Sequence, residues 1–539
     1  MKRYLLLYLL ILLTLTTFPQ TYQSNKNLKN NYIQLSGRLF QDVQLSGIFS
    51  DSKTFVDAVP LKPAIYITRL YDSVKALPDF ELRQFIFANF MVPEGHSDTT
   101  SPSLSATMES HIKTLWQSLE RHADEKNPQS TLLPLKYPYI VPGGRFREIY
   151  YWDSFFTILG LLADGHQEVA ENMVRNFAYL LDQYGMIPNG NRVYYLTRSQ
   201  PPFFALMVDI ICRHKNDYSW GLQFLPQLQA EYSFWMNGLN GLKSSGSAAS
   251  EHVVQIGESS VLNRYFDFDN VPREESFKVD DSLSKKLDVA VRPGFFTNLR
   301  AAAESGWDFS SRWLKDGKSL LTIQTTDLIP VDLNCLLYFL EDRLSFFYKL
   351  KGDNTQAMEY GKKSLLRSQL INKYFWNEKE GYYFDYNWKE GKQSTIYSLA
   401  ACFPLYFGIA EPVQAKKTAK TLERKFLNPG GLITTPNETH LQWDAPNGWP
   451  PLQWIAIKAL REYGINPLAE TIKKRWLKLN NDVYKRTGRM VEKYNVIDLR
   501  LFAGGGEYKL QDGFGWTNGV AEALLNNFDK LYIFKQNRH

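Results

Sequence analysis

Cysteine and histidine are scarce in this sequence of 539 residues, which contains only three Cys and eight His. Cys212, Cys335 and Cys402 lie in apolar segments without metal-ligand spacing, so they predict buried thiols rather than a disulfide framework. The histidines form neither a His-x-x-x-His nor a His-Glu-x-x-His segment, which argues against a zinc hydrolase. We therefore expect no metal ion and no cofactor.

Other motifs of catalysis and of nucleic-acid binding are absent as well. There is no Gly-x-Ser-x-Gly segment of a serine hydrolase, and Gly504-Gly505-Gly506-Glu507 is not followed by the Lys-Ser/Thr of a phosphate loop. The net charge is only +6, from 62 basic and 56 acidic residues, and no long basic run occurs. A weak field of this kind predicts no nucleic-acid partner.

Aromatic residues, by contrast, are abundant, with 31 Tyr, 34 Phe and 13 Trp. They are densest from Pro142 to Phe156, where Pro-Gly-Gly-Arg-Phe-Arg-Glu-Ile-Tyr-Tyr-Trp-Asp-Ser-Phe-Phe sets Arg and carboxyl groups beside flat rings. Rings suit the C–H faces of a sugar, and forked Arg or carboxyl groups suit its hydroxyls. This window predicts either a sugar cleft or an Arg–carboxylate network packed under aromatic core residues.

The amino terminus has the pattern of a secretory signal. Lys2 and Arg3 precede an apolar run from Tyr4 to Phe18, and a polar stretch follows. The run is shorter than the roughly 20 residues of a spanning helix, which indicates a signal peptide over residues 1–24. Because no Ala-x-Ala-like cleavage site is evident, an uncleaved membrane anchor stays open. Export without disulfides favours the bacterial periplasm.

Apolar residues recur at helical spacing through most of the remaining chain, which predicts an all-α protein with one domain over residues 35–535. Gly185 and Gly352 follow two such segments as stop signals. Further helices are expected over 110–123, 203–214, 225–237, 356–374, 395–408, 414–427, 467–480 and 516–528, with long loops over 128–150, 185–202, 246–300, 428–450 and 495–515. The simplest arrangement that fits is a ring of helical hairpins whose functional residues lie in loops at one end. Periodicity alone also allows an α-solenoid.

The pair Trp-Asp occurs three times in Gly/Pro-rich loops, as Trp152-Asp153, Trp307-Asp308 and Trp443-Asp444, and suggests one aromatic and acidic cavity. Hydrolysis of a glycosidic bond needs two carboxyl groups, a proton donor and a base or nucleophile. Asp308 beside an indole suits the donor, because burial disfavours the charged form, and Glu492 beside Lys493 suits the base. The alternatives are a helix N-cap for Asp308 and an ion pair for Glu492.

Two long segments resemble the signatures of the family 37 trehalases. The first is Pro142 to Asp153, and the second is Gln442-Trp443-Asp444-Ala445-Pro446-Asn447-Gly448-Trp449-Pro450-Pro451. The likeness runs from about Leu39 to about Glu522. It implies an (α/α)6 barrel that hydrolyses α,α-trehalose to two glucose molecules with inversion.

The resemblance also implies roles for individual residues. Asp308, in Ser-Gly-Trp-Asp, matches the general acid, and Glu492, in Val-Glu-Lys-Tyr, matches the general base. The substrate contacts that it implies are Arg145, Trp152, Asp153, Asn189, Arg198, Ser199, Gln200, Arg273, Glu275, Gly306 and Glu507. In an inverting enzyme the two catalytic carboxyl groups should face each other across the cavity, roughly 6.5–9.5 Å apart.

One position departs from the family pattern. The family commonly has Arg-Pro-Glu-Ser where this chain has Arg273-Glu274-Glu275-Ser276. Because Pro fixes φ, Glu274 is expected to loosen the loop and to add a charge. The expected partner is a small sugar, no partner protein is implied, and a monomer is expected. The alternatives are a helical-ring glycosidase for another α-glucoside and a non-catalytic sugar-binding or sensing protein.

Overall fold

The computed structural model describes residues 28–93, 107–245, 247–257, 260–504 and 513–531. Within this part of the chain, six helical segments pack in order and close into a ring. They are Tyr151–Ala163, Phe204–Lys215, Val331–Lys351, the short Phe403–Tyr406 with its preceding 3-10 turn Leu399–Cys402, Pro450–Glu462 and Gly515–Leu525. Because the last of them packs against the first, the fold is a closed ring and the α-solenoid alternative is wrong.

A second layer of helices surrounds this inner ring. It comprises Met108–Leu119, Gln167–Tyr184, Leu225–Trp235, Asn354–Tyr374, Pro412–Lys425 and Asn466–Thr487. Several of them follow an inner helix after a tight turn, as Gln167–Tyr184 follows Tyr151–Ala163. Six inner and six outer segments make this an (α/α)6 barrel, so the all-α fold class and the barrel architecture are confirmed.

The remaining elements are mostly short and lie between or outside the barrel pairs. The other helices are Gly37–Ser46, Lys53–Val56, Ala64–Val74, Leu82–Asn89, Tyr218–Leu222, Leu239–Ser245, Phe277–Ser284 and Arg292–Glu304. Small antiparallel ladders join the loops, including Val253–Ile256 with Ser260–Asn263, where Val253 pairs with Asn263. Another pairs Asn447–Gly448 with Tyr494–Asn495.

The inner helices carry the core. Every residue from Tyr151 to Leu162 is buried, as expected of a helix that is apolar on all sides. Outer helices bury one face only; Pro412–Lys425, for example, exposes most of its lysines. Cys212, Cys335 and Cys402 are all buried and free, which confirms the prediction of buried thiols.

Two predictions about elements are wrong. Residues 395–408 contain a 3-10 turn and the four-residue helix Phe403–Tyr406 rather than a long helix. The predicted loop over 246–300 contains the strands near Val253 and the helices Phe277–Ser284 and Arg292–Glu304. Pro293 and Gly294 have the composition of a loop, yet Pro is accepted in the first turn of a helix, where its missing N–H is not needed.

None of the helices in the described ranges is long and apolar enough to cross a membrane. The apolar run from Tyr4 to Phe18 and the predicted signal peptide lie outside the described residues.

Candidate active site

A cavity of about 730 Å³, counted with its open mouth, lies where the inner helices begin. Trp152 and Asp153 occupy the first turn of one inner helix, Trp449 directly precedes another, and Trp516 begins a third. The size lies within the usual range for small-molecule sites. A helix N-terminus also favours negative charge, so carboxyl groups are well placed here.

Most of the residues predicted for the site line this one cavity. They are Arg145, Trp152, Asp153, Asn189, Arg198, Gln200, Arg273, Glu275, Gly306, Asp308 and Glu492. Ser199 lies behind the wall, where its hydroxyl donates to the Ile187 carbonyl oxygen at 2.6 Å. Glu507 lies outside the described residues. The structure therefore brings the predicted set together, while the role of each member stays a prediction.

Asp308 is partly exposed to the cavity, with 37% of its side chain accessible. Arg273 Nη1 lies 3.9 Å from Asp308 Oδ2, and two other nitrogens of the same guanidinium donate to the Asp280 carboxylate at 3.0 and 2.7 Å. Asp280 thus fixes the orientation of Arg273 toward Asp308. The N-cap alternative for Asp308 is wrong, because Ser310 caps the next turn.

Glu492 is buried and lies 3.3 Å from the Lys493 ammonium, so the ion-pair alternative is also realised. Lys493 Nζ donates to Gln442 Oε1 at 2.8 Å, and the Gln442 amide in turn donates to the backbone carbonyl of Asp308. Gln442 therefore connects the loops of the predicted acid and the predicted base. The ladder between Asn447–Gly448 and Tyr494–Asn495 holds the loop of Gln442 and the loop of the predicted base in register.

Asp153 is a third carboxyl group on the cavity and is buried. Burial raises the pKa of Asp153 well above its usual range, and the negative charges of Glu492 and Asp308 raise it further. A carboxyl group that keeps its proton can donate a hydrogen bond as well as accept one. Asp153 is therefore equipped to contact a sugar hydroxyl in either direction.

A chain of polar contacts forms another wall. Arg198 Nε donates to Asn189 Oδ1 at 3.1 Å, and Arg198 Nη2 donates to Glu275 Oε1 at 2.6 Å. Although burial opposes ionisation of Glu275, the positive charges of Arg198, Arg273 and Arg300 lower its pKa to about 2. Arg198 Nη1 and Glu275 Oε2 are buried and have no hydrogen-bond partner among the described residues. Arg198 Nη1 lies 3.6 Å from the buried Asp267 carboxylate, so Glu275 Oε2 is the atom of this pair that can accept a hydrogen bond from a ligand.

The three predicted Trp-Asp pairs meet only in part. Trp443 stacks on Trp307, with ring centroids 5.5 Å apart, and lies 5.8 Å from Trp152. Asp444, however, is fully buried and accepts hydrogen bonds from Ser310 and Ser311, so it ties two loops together instead of lining the cavity. Of the predicted aromatic and acidic cavity, Trp152, Asp153, Asp308 and Trp443 line the wall, whereas the expectation is wrong for Trp307 and Asp444.

The window from Pro142 to Phe156 contributes both to a buried charge network and to the cavity wall. Its Glu148 is buried against Lys53 Nζ at 2.7 Å and Arg192 Nε at 3.2 Å, which is a structural network. Its Arg145, Trp152 and Asp153 line the cavity. Lys53 also lines the cavity, so the network and the cleft share a wall.

Glycine is required at Gly306, because its φ is +74° and a Cβ there would lie 2.8 Å from the Trp152 ring. Ser199 is held through its backbone N–H, which donates to Glu304 Oε1 at 2.9 Å. Gly306 and Ser199 therefore shape the wall rather than reach into the cavity.

Sequence reasoning missed several residues of the site. Gln442, Trp449 and Trp516 line the cavity, and Asp280 orients Arg273. Gln442 and Trp449 stand inside the second signature, so that segment was a usable signal. Asp280 belongs to no motif, and nothing in the sequence singles it out. Within the described ranges, no three His, Cys, Asp or Glu side chains are grouped to hold a metal ion.

The fold and the cavity together define the class of protein. It is an (α/α)6 barrel whose cavity is lined by carboxyl groups and aromatic rings. A model of the trehalase family matches residues 47–529. Periplasmic trehalases of Pseudomonas aeruginosa and of Escherichia coli K12 are 47% and 44% identical to this chain. The alignments cover 90% and 91% of this chain and 88% and 86% of those proteins. The chain therefore belongs to the trehalase family.

Solved structures agree with this fold. A neutral trehalase from Saccharomyces cerevisiae is 29% identical, with a TM-score of 0.59 over 72% of this chain and 73% of that one. A mannosylglycerate hydrolase from Thermus thermophilus has a TM-score of 0.51 over 77% of this chain and 99% of that one. At 17% identity, the second likeness concerns the fold alone.

Proposed function

We propose that this chain hydrolyses α,α-trehalose to two molecules of glucose, with inversion at one anomeric carbon. The observation that carries the proposal is that Asp308 and Glu492, which come from separate loops, line one cavity. Family membership and the two signature segments support trehalose as the substrate. An inverting glycosidase needs one carboxyl group as acid and another as base on opposite faces of the sugar.

In the proposed reaction, Asp308 donates its proton to the glycosidic oxygen as the bond from that oxygen to one anomeric carbon breaks. Glu492 accepts a proton from a water molecule whose oxygen attacks the same carbon from the opposite face. The attacked sugar leaves as β-glucose and the other as α-glucose. Once Asp308 has lost its proton, its negative charge faces the Arg273 guanidinium 3.9 Å away, which stabilises the ionised product state.

The remaining cavity residues hold the sugar. Glu275 Oε2 presents a buried acceptor, and Asp153 can serve as donor or acceptor. Trp152 and Trp449 supply flat faces. These groups are fixed in advance by their own contacts, such as Asn189 with Arg198, so little ordering is needed when the substrate binds.

The test of this function is NMR of the first products formed from trehalose. Equal amounts of α- and β-glucose before mutarotation would establish substrate and inversion together. Two α-glucose molecules would contradict the mechanism, and no glucose would contradict the function. Maltose, kojibiose and isomaltose serve as competing substrates, because faster cleavage of any of them would favour a different α-glucosidase.

Asp308→Asn tests the assignment of the acid. Because the amide cannot donate the required proton, we expect kcat to fall about 10²- to 10⁴-fold. Binding of trehalose, measured by calorimetry, should be retained. Asp288→Asn is the matched control, since Asp288 is exposed and does not line the cavity. Unchanged turnover in Asp308→Asn would exclude this residue as the acid. A wild-type protein that binds trehalose without turnover would instead indicate the sugar-sensing alternative.

Residues 1–24 are proposed to act as a signal peptide that exports the chain to the bacterial periplasm, in line with relatives named periplasmic trehalases. Cell fractionation and amino-terminal sequencing of the exported protein test this. Recovery only from membranes, with Met1 retained, would favour the anchor. The protein is proposed to act as a monomer without a partner protein or cofactor. Light scattering of the purified active enzyme gives its molar mass and so tests whether it is a monomer.

A further inference from the structure

The turn from Arg273 to Ser276 carries three side chains of the cavity lining, those of Arg273, Glu275 and Ser276. Glu274, between them, is absent from the cavity wall, and only 6% of its side chain is exposed. Residues Glu274–Ser276 form a single 3-10 turn. Position 274 is the place where the resembling family commonly has Pro, so the means of fixing this turn differs in this chain.

The Glu274 carboxylate is held between two buried cations. One oxygen forms an ion pair with Lys29 Nζ, and the other accepts a hydrogen bond from Arg300 Nη1 at 3.3 Å. Lys29 also donates to Asp269, and Arg300 Nε donates to Asp267 at 2.9 Å. A buried carboxylate with two charged partners is held far more firmly than an exposed one.

Arg300 joins the turn to the rest of the site. Its guanidinium also donates to the backbone oxygens of Val271 and Pro272, at 3.4 and 3.2 Å, and to Thr197 Oγ1 at 3.1 Å. Thr197 directly precedes Arg198, and Arg300 lies on the helix that leads to Asp308. One buried cation therefore ties together the three segments that supply Arg198, Arg273 and Asp308.

Lys29 brings in a distant part of the chain. It lies more than 200 residues before Glu274, outside the barrel helices, yet only 11% of its side chain is exposed. Burial alone would lower the pKa of Lys29, but the Glu274 and Asp269 carboxylates raise it, so the ammonium stays charged. The ion pairs of Lys29 thus hold the segment around it against residues that lie behind the cavity wall.

We propose that Glu274 is a positioning residue: through Lys29 and Arg300 it fixes the Arg273–Ser276 turn, in the place of a proline, so that Arg273 and Glu275 stay aimed at the substrate. The amino-terminal segment that carries Lys29 then helps to hold the active-site residues in position. This inference rests on the proposed function. The sequence predicted that Glu274 would loosen this loop, whereas in the structure the ion pairs of Glu274 with Lys29 and Arg300 hold it.

The test compares Glu274→Gln, Lys29→Met and the double variant with wild type in trehalose hydrolysis. Glu274→Gln keeps the shape but loses the charge, and we expect KM to rise about tenfold while kcat changes less than threefold. Lys29→Met should act in the same direction, and the double variant should cost less than the product of the two single effects. Glu274→Pro combined with Lys29→Met should restore KM to within about threefold of wild type, because Pro fixes the turn by φ.

Amide hydrogen exchange over residues 271–280 gives a readout that needs no substrate. Exchange should be faster in Glu274→Gln than in wild type, and Glu359→Gln, in an exposed pair with Lys363, should change neither exchange nor KM. Faster exchange with unchanged KM, or raised KM with unchanged exchange, would overturn the proposal. A wild-type protein inactive on trehalose would refute the proposed function only, since the exchange comparison could still be made.

Discussion

Asp153 is the residue at which function and stability oppose each other most directly. Its carboxyl group is buried in a wall that also holds Glu492 and Asp308, and these surroundings raise its pKa well above the usual range. In the folded protein Asp153 therefore keeps a proton at pH values at which the unfolded chain has already lost it. Because the folded state then binds more protons, stability falls as the pH rises above the ordinary Asp pKa of about 3.9.

Replacing Asp153 with Asn should remove this pH-dependent loss. We expect the Tm of Asp153→Asn to exceed that of wild type, by an amount that grows from about pH 4 upward. Activity should fall at least about tenfold, because a sugar contact of the right charge and protonation is lost. Thermal melts between pH 4 and 8 measure the first effect and initial rates the second. A lower Tm at every pH would contradict the argument, and exposed Asp288→Asn should leave both unchanged.

At the scale of residues, the sequence allowed about half of the residues that line the cavity to be predicted, but not the residues that hold them in place. Asp308 and Glu492 stand in segments whose residue types suit the chemistry, so they could be found. Asp280, Gln442 and Lys29 act by fixing other side chains, and such roles depend on which loops the fold brings together. Asp444 illustrates the same limit, because its motif matched that of Asp153 while its surroundings turned out to be hydroxyl groups.

At the scale of elements, the spacing of apolar residues predicted most of the long helices, including the inner helices Phe204–Lys215, Val331–Lys351 and Gly515–Leu525. Gln167–Tyr184 and Val331–Lys351 end at Gly185 and Gly352, whose φ values of 69° and 88° suit glycine, as predicted. Tyr151–Ala163 was not predicted, because it is buried on all sides and has no helical alternation to detect. Arg292–Glu304 was hidden by the Pro and Gly of its first turn. Uniform burial thus hides one helix from sequence analysis, and a first turn of loop-like composition hides the other.

The close approach of two inner helices depends on glycines. Gly160 of Tyr151–Ala163 faces Gly519 of Gly515–Leu525, and a Cβ at Gly160 would lie 2.5 Å from the Gly519 Cα. A Cβ at Gly519 would collide with the backbone carbonyl of Phe156. Because backbone cannot move aside as a flexible side chain can, this contact sets the distance at which the ring closes between its last and first helix.

Gly519→Ala should therefore destabilise the protein by about 1–3 kcal/mol through overpacking, measured by urea unfolding. Gly294→Ala is the matched control, since Gly294 is also helical and a Cβ there meets nothing within 4 Å. Its stability should be unchanged or slightly higher, because Ala favours the helix over Gly. Equal effects of the two substitutions would show that helix propensity, and not the close approach, dominates.

At the scale of the whole molecule, the ring makes distant segments depend on one another. The cavity wall combines loops that precede several inner helices. Gln442 contacts the loops of both the predicted acid and the predicted base, and the ladder near Asn447 pairs the loop of Gln442 with the loop of the predicted base. Lys29 adds the amino-terminal segment to the same structure. Such a site should be lost as a unit when the ring opens, as the predicted single domain over residues 35–535 implies, although Lys29 precedes the predicted start of that domain.

The three buried thiols test this cooperativity. Cys212 and Cys335 lie on the packed inner helices Phe204–Lys215 and Val331–Lys351, and Cys402 lies in the 3-10 turn that packs on the second of these. Burial raises the pKa of each thiol, so in the native protein all three should resist alkylation.

With increasing urea, iodoacetamide labelling read by mass spectrometry should reach half-completion at one common urea concentration for all three thiols. That concentration should match the one at which activity is lost. If one thiol reacted well below that concentration, its sector of the ring would unfold independently and the single-domain prediction would be wrong. Reductant should leave the Tm unchanged, since these three cysteines are free.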